Sequence, residues 1–297
     1  MVVLPQLIML FSIAGVGALL RKKGVVTDPV VKGISDIVTL ATNPALLIMV
    51  TQHEYTPGTL VSFLHVLWIA TLAMALMMVV IYAACRRQSE KVRPIMAMLA
   101  VMPNAGFMGL PILQAVYGDL GALYLAALIV AFNLVIWTVG IALLDRRSFS
   151  FKGMFNPGFI AALLGTAMFL MRVDLPNLVD SPLNALGSLN TPLAMLILGA
   201  RMTGFAPKAL LDWKNALVSL VKLIGMPLVV LGLARLISLD PVAAGTLALA
   251  SAMPSAIMSQ MLAEQYDRDA LFAAQEISFT SLVSIFTIPL IVIILGV

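Results

Sequence analysis

The sequence predicts an all-α polytopic membrane protein: ten transmembrane helices in two inverted five-helix repeats, with crossing broken helices at spans four and nine. Composition is the first reason, because 61% of the 297 residues are hydrophobic, 11% are charged, and the mean hydropathy is +1.05. A soluble domain of this length needs far more charge to cover its surface. The other two reasons are apolar runs of membrane-spanning length and proline-containing interruptions at corresponding places in the two halves.

Ten apolar segments define the predicted helices. They lie roughly at residues 2–20, 30–51, 59–84, 94–117, 120–144, 157–173, 181–200, 214–237, 241–264 and 270–296. The fourth and fifth are separated only by "YGDLG", so nine or eleven spans remain alternatives. The first Lys or Arg is Arg21, so the first segment lacks the basic region of a cleaved signal peptide and is predicted to be a span.

Positive charges predict the orientation. Of the 18 Lys and Arg residues, those in loops after odd-numbered spans are Arg21, Lys22, Lys23, Lys32, Arg86, Arg87, Lys91, Arg93, Arg146, Arg147, Lys152, Arg201, Lys208, Lys214 and Arg268. The loops after even-numbered spans hold only Arg172 and Arg235. By the positive-inside rule the odd loops are cytoplasmic and both termini lie outside, in the periplasm of a bacterial inner membrane. The charge thus serves orientation in the lipid bilayer, and no nucleic-acid partner is expected.

Several function classes lack their motifs. The sequence contains no GxxxxGK[ST] phosphate loop, no HExxH and no GxSxG. A lone cysteine, Cys85, excludes internal disulfides and cysteine metal clusters. The chain is therefore not expected to be an enzyme or to hold a cofactor or structural metal. If the chain moves solutes, it is expected to use an existing gradient, with H⁺ or Na⁺ as the candidate coupling ion, or to require a partner.

The two halves of the chain resemble each other. "TNPALLIM" is similar to "NTPLAMLILG" with Pro44 matching Pro192 at an offset of 148, and "LAVMPNAGFM" is similar to "LASAMPSAIM" at an offset of 151. These landmarks predict repeats at residues 1–150 and 151–297. Each repeat holds five spans, an odd number, so the second enters the membrane from the opposite side. Inverted repeats with broken helices are typical of secondary transporters, whose substrate sites lie at the breaks.

The interruption in span four is chemically specific. Pro103 has no N–H and its ring displaces the carbonyl of Leu99, so the helix ends there. Asn104 is a favoured N-cap for a new half-helix, whose free N–H groups and positive dipole end favour an anion. "MPSA" in span nine has the same arrangement, a proline that ends the helix followed by an N-cap residue, Ser255. The predicted substrate-binding residues are Pro103, Asn104, Ala105, Gly106, Pro254, Ser255, Asn43 and Lys222. An ordinary proline kink is the alternative.

Ionisable residues within spans are functional hypotheses by default. Asp36 and Glu276 are the candidates for coupling to an ion gradient. Lys222 either faces the anion or snorkels to the membrane surface, and a Lys222–Glu276 pair is a third, structural alternative. For Asn133 and Gln114 we expect hydrogen bonds between helices.

Several short motifs in a fixed order suggest a family. They are "NPALL" in span two, "MPNAGFMGLPI" in four, "FNLVIWTVG" in five, "VKLIGMPL" in eight and "MPSA" in nine. This order resembles the auxin efflux carrier family, which includes plant PIN proteins and bacterial malonate-type carriers. The resemblance covers essentially the whole chain. The long central cytoplasmic loop of many plant members is absent, with "DRRSFSFKGMFNPG" in its place, so phosphorylation control and hormone specificity do not carry over.

The resemblance implies a fold and a site. The fold is similar to bile-acid/sodium symporters, with spans one, two, six and seven as a scaffold and spans three, four, five, eight, nine and ten as a transport unit. The family's anion site maps onto Pro103, Asn104 and Pro254, and its intramembrane lysine pattern onto Lys222.

These observations favour a secondary transporter of small organic anions such as malonate-like carboxylates, working by alternating access. Two alternatives remain: a sodium-coupled symporter of larger amphipathic acids, and a non-transporting membrane sensor or scaffold with the same fold. The expected partners are the anion and the bilayer, and a homodimer is compatible with the sequence.

Overall fold

A computed structural model describes residues 3–52, 56–145, 155–173, 175–203 and 213–296. These residues form helices and no β-strand beyond one isolated bridge. The helices are α1 (Val3–Lys22), α2 (Asp28–Val50), α3 (Pro57–Ala84), α4 (Arg93–Val101), α5 (Leu110–Leu144), α6 (Pro157–Met171), α7 (Asn177–Met202), α8 (Trp213–Leu236), α9 (Pro241–Ser251), α10 (Ile257–Gln265) and α11 (Ala270–Leu295). The predicted all-helical class is confirmed.

Six of the described helices, α2, α3, α5, α7, α8 and α11, are long and apolar enough to cross a membrane. Seven of the ten predicted segments each overlap one helix, and the ninth overlaps α9 and α10. The fourth overlaps α4 and the first part of α5, and the fifth overlaps the rest of α5. Gly118 interrupts α5 with φ of 64° and ψ of −154°, a conformation that glycine adopts without steric cost. This interruption lies in "YGDLG", where the sequence places the boundary between spans four and five.

Three π-helical turns stand directly before an X-Pro pair. They are Val38–Thr42 before Pro44, Ala105–Gly109 before Pro111 and Val221–Gly225 before Pro227. Proline lacks an N–H and crowds the carbonyl four residues back, and the wider π turn accommodates both effects within a continuing helix. These prolines therefore leave their helices continuous, whereas Pro103 and Pro254 stand where helices end.

One group of helices consists of α1, α2, α6 and α7, with α1 packed on α7 and α2 packed on both α6 and α7. The backbones of α1 and α7 touch at two glycines. A Cβ on Gly17 would lie 2.0 Å from the Leu196 carbonyl oxygen, and one on Gly199 would lie 1.7 Å from the Ala14 carbonyl oxygen. Only glycine fits at such contacts, a common device of helix packing in membranes.

The second group consists of α3, α4, α5 and α8–α11. At its centre lies α4, whose residues from Pro94 to Val101 are all buried. Large apolar side chains instead cover the outside of the helices, for example Trp68, Leu72, Leu76, Phe286 and Ile293. An exposed apolar surface of this kind suits contact with lipid.

Contacts between loops bring two of the predicted cytoplasmic loops to the same end of the molecule. Lys91 Nζ lies 2.9 Å from Asp267 Oδ2, and the backbone N–H of Asp269 donates to the Lys91 carbonyl at 3.2 Å. The hydrogen bond and charge of Lys91 lower the pKa of the exposed Asp267 carboxyl. The loops after α3 and α10 therefore share one side, as the charge pattern predicts. The predicted loop cations Arg146, Arg147, Lys152 and Lys208 lie outside the described residues.

Candidate functional site

The two helix breaks meet and pair with each other. Pro103 and Ser255 form an antiparallel bridge. On either side of it, the Asn104 N–H donates to the Pro254 carbonyl at 2.8 Å and the Ala256 N–H donates to the Met102 carbonyl at 3.0 Å. The breaks predicted in spans four and nine are thus present, and each satisfies backbone groups that the other leaves open.

Ser255 has a different role from the predicted one. Its hydroxyl donates to the Leu99 carbonyl oxygen at 2.7 Å, and its backbone N–H donates to Thr280 Oγ1 at 3.2 Å. The N-cap of α10 is Ala256, which has no side chain able to cap. The prediction of Ser255 as an N-cap is wrong, because its hydroxyl satisfies the carbonyl that Pro103 deprives of a helical donor.

Asn104 occupies the predicted N-cap position, but its side chain does not cap. Its backbone carbonyl accepts from the N–H groups of Met108 and Gly109, both at 3.2 Å. A capping side chain requires an extended backbone, whereas Asn104 has φ of −75° and ψ of 61°. Among the described residues its amide has no hydrogen-bond partner, and it lies at the wall of a cavity.

This cavity has a volume of about 750 Å³. Its wall contains both half-helix starts, namely Asn104, Ala105 and Gly106 from one break and Ala256, Ile257 and Met258 from the other. The first N–H groups of a helix lack intrahelical acceptors and carry the positive end of its dipole. Pro103 also lines the cavity, while Pro254, Ser255 and Lys222 are not in its wall.

Asparagines supply much of the remaining polar wall. Asn43 Nδ2 donates to the Gly106 carbonyl at 3.0 Å, and a Cβ on Gly106 would lie 2.9 Å from that nitrogen. Asn156 Nδ2 donates to Asn133 Oδ1 at 2.6 Å, a link between helices as predicted for Asn133. The prediction for Gln114 is wrong, because its amide bonds Asp119 five residues along the same segment at 3.2 Å. Sequence analysis missed Asn156, whose signal is its N-cap position before Pro157.

Lys222 lies behind the crossing. Its side chain is fully buried in the π turn of α8, and Nζ donates to the Ser251 carbonyl at the end of α9 at 2.6 Å. The alternative in which Lys222 snorkels to the membrane surface is therefore wrong. A cation at this position satisfies an open carbonyl and the negative end of the half-helix dipole.

The two candidate acids differ in environment. Glu276 is fully buried in α11 and accepts from the Ser219 hydroxyl at 2.7 Å. Asp36 is exposed and lines the cavity. Of the two coupling candidates, Glu276 is therefore buried and Asp36 is exposed. The hydrogen bonds described for Glu276 and Lys222 go to different partners, Ser219 and Ser251. A Lys222–Glu276 pair stays a prediction.

Comparison with known proteins places the chain in a family. Residues 2–292 match the model of the family described as membrane transport protein. The chain belongs to this family. An uncharacterized transporter of Methanocaldococcus jannaschii is 23% identical over 286 residues, which cover 90% of each chain. The protein is thus a membrane transporter of the membrane transport protein family and not an enzyme.

Proposed function

We propose that this membrane transport protein is a secondary carrier of small organic anions, carboxylates of the malonate kind, working by alternating access in a bacterial inner membrane. The observation that carries the proposal is that both half-helix starts line one cavity beside Asn104, whose amide has no hydrogen-bond partner among the described residues. Open N–H groups and two dipole ends attract a carboxylate, and each charge-assisted hydrogen bond contributes roughly 1.5–3 kcal/mol. The motif resemblance to auxin efflux carriers supports the same substrate class.

The proposed architecture is ten spans in two inverted five-helix repeats, residues 1–150 and 151–297. Residues related by a two-fold axis contact each other only near that axis. Thr42 Oγ1 donates to Asn190 Oδ1 at 3.1 Å, and these residues are separated by 148 positions, the offset that aligns Pro44 with Pro192. The reciprocal backbone bonds between the two breaks support the same axis.

The helix packing supports a mechanism of relative movement. In the proposal α1, α2, α6 and α7 form the scaffold and the remaining helices form the transport unit. Asn43 on α2 contacts Gly106 in the first break across this boundary, so the cavity lies between the two groups. The cavity wall extends to Arg21 and Asp28, which lie at the end that the loop charges assign to the cytoplasm. In this proposal the structure corresponds to an inward-facing state.

Flux measurement in liposomes tests this function. Purified protein is reconstituted and challenged with a panel of radiolabelled mono- and dicarboxylates, including malonate. Flux of at least one of them under a proton or sodium gradient is the expected result. Uptake of larger amphipathic acids that stops when potassium replaces sodium indicates the symporter alternative. Tight binding of a carboxylate without flux indicates a sensor and contradicts the proposal.

A further inference from the structure

An arginine side chain lines the same cavity, away from the helix crossing. Arg201 is in the last turn of α7 and lines the cavity. One guanidinium nitrogen, Nη2, donates to Ser35 Oγ on α2 at 3.2 Å. Its Nε is buried and has no hydrogen-bond partner among the described residues. Sequence analysis counted this residue only among the orienting loop charges.

The neighbouring arginine at the cavity wall is in a different state. Arg21 pairs with the carboxylate of Asp28 and also donates to the Val26 carbonyl at 3.0 Å. Arg201 forms no salt bridge with another of the described residues. Among the described residues the hydrogen-bond partner of Arg201 is a hydroxyl, whereas Arg21 is paired with a carboxylate.

Helix geometry separates Arg201 from the crossing. On α7, Asn190 contacts Thr42, and Thr42 precedes Asn43, which contacts the first break. Arg201 follows Asn190 by 11 residues, and a rise of 1.5 Å per residue places it about 16 Å further along α7. It therefore lies towards the predicted cytoplasmic end of the cavity.

We propose that Arg201 is a first binding position for the carboxylate of the substrate, at the cytoplasmic mouth and distinct from the helix crossing. This inference rests on the proposed carrier function. A guanidinium presents five N–H donors in a planar fork that matches a carboxylate. Ser35 accepts from one nitrogen and holds the fork in place. The Nε is buried, so the remaining Nη donors are the part of the fork available to an anion in the cavity.

The position of Arg201 on α7 makes its action one-sided. In the proposed mechanism α7 belongs to the scaffold, and Asn104 belongs to the transport unit. A carboxylate that moves with Asn104 leaves Arg201 behind when access changes sides. Arg201 therefore promotes binding from the cytoplasm and contributes nothing to binding from the opposite side.

Side-specific kinetics test the inference. Initial rates of [¹⁴C]malonate transport are measured in inside-out and right-side-out membrane vesicles containing the parent, Arg201→Gln or Arg201→Lys. Lys23→Gln is the matched control, because it removes an exposed charge from the same predicted side without touching the cavity. Thermal unfolding of each purified variant verifies its folding.

Arg201→Gln is expected to raise the KM for cytoplasmic malonate roughly tenfold, the effect of losing one charge-assisted hydrogen bond. Its KM from the other side and that of Lys23→Gln from both sides stay at the parent values. Arg201→Lys, which keeps the charge and loses the fork, gives an intermediate KM. An unchanged cytoplasmic KM in Arg201→Gln, or an equal rise on both sides, overturns the inference while parent flux upholds the carrier function. Absence of carboxylate flux in the parent overturns both.

Discussion

The hydroxyl of Ser255 donates to the carbonyl oxygen of Leu99 at 2.7 Å, although the two residues are 156 positions apart. Leu99 is four residues before Pro103, whose missing N–H would otherwise leave that carbonyl without a donor. One broken helix thus supplies the hydrogen bond that the other lacks. This exchange fixes the crossing on which the proposed anion site depends.

Removing this hydroxyl should destabilise the protein. Ser255→Ala leaves the buried Leu99 carbonyl without its donor, a loss of roughly 1–3 kcal/mol in the free energy of unfolding. Thermal unfolding in detergent measures it. Ser284→Ala is the control, because that buried hydroxyl bonds only the Ser281 carbonyl of its own helix. Equal unfolding temperatures for the two variants would show that the Leu99 bond contributes little.

Lys222→Met should affect stability more than binding. The variant loses a charged hydrogen bond to the Ser251 carbonyl, which contributes roughly 1.5–3 kcal/mol. Malonate affinity of the folded variant should stay within about twofold of the parent, because Lys222 is not in the cavity wall. Lys23→Met, at an exposed position, is the control. A stable Lys222→Met protein with weakened malonate binding would place the lysine charge at the anion after all.

Sequence patterns predict features that depend on one stretch of chain. Proline chemistry locates the breaks at Pro103 and Pro254, and the apolar runs locate the helices. Partners far apart in sequence are not accessible to such reasoning: Ser255 looks like a local cap but bonds Leu99, and Lys222 reaches Ser251 rather than the membrane surface.

The residues of the cavity wall also divide into those that the sequence predicts and one that it does not. Asn104 and Gly106 are predicted from their positions at the first helix break and Asn43 as a polar residue within span two, and the structure places all three in the cavity wall. In the sequence Arg201 looks like an orienting loop charge. Its place beside Ser35 depends on how α2 packs against α7, which the sequence does not show.

Cysteine labelling should establish the orientation. In a Cys85→Ala background, Gln88→Cys and Gln265→Cys are expected to react with a membrane-impermeant maleimide only from the cytoplasm. Gln88 lies in the loop after α3 and Gln265 at the end of α10, and these two places share one end of the molecule. Thr56→Cys, in the loop after α2, is expected to react only from outside. Labelling of Gln88→Cys from outside would show that the orientation is the reverse of the predicted one. The end of the cavity that contains Arg201 would then face the outside.

Glu276→Gln should uncouple transport from the ion gradient. Glu276 is buried and bonded to Ser219. A carboxylate there can take up H⁺ or neutralise Na⁺, whereas an amide neither titrates nor supplies a negative charge. Accumulation driven by a proton or sodium gradient is expected to disappear, while exchange of labelled for unlabelled malonate continues. Asp36→Asn, at an exposed position, should accumulate like the parent. Normal accumulation by Glu276→Gln would mean that coupling resides elsewhere.

The most direct test of the anion site is malonate binding to purified Asn104 variants of parental stability, measured by isothermal titration calorimetry. Asn104→Ala is expected to weaken binding roughly tenfold by removing a hydrogen-bond donor to the carboxylate, and Asn104→Asp more strongly by adding a like charge. Asn184→Ala, whose amide bonds only Asp180 on the exposed face of α7, should bind like the parent. Parental affinity in both Asn104 variants would contradict the account, because the anion would then bind away from the crossing of the two broken helices.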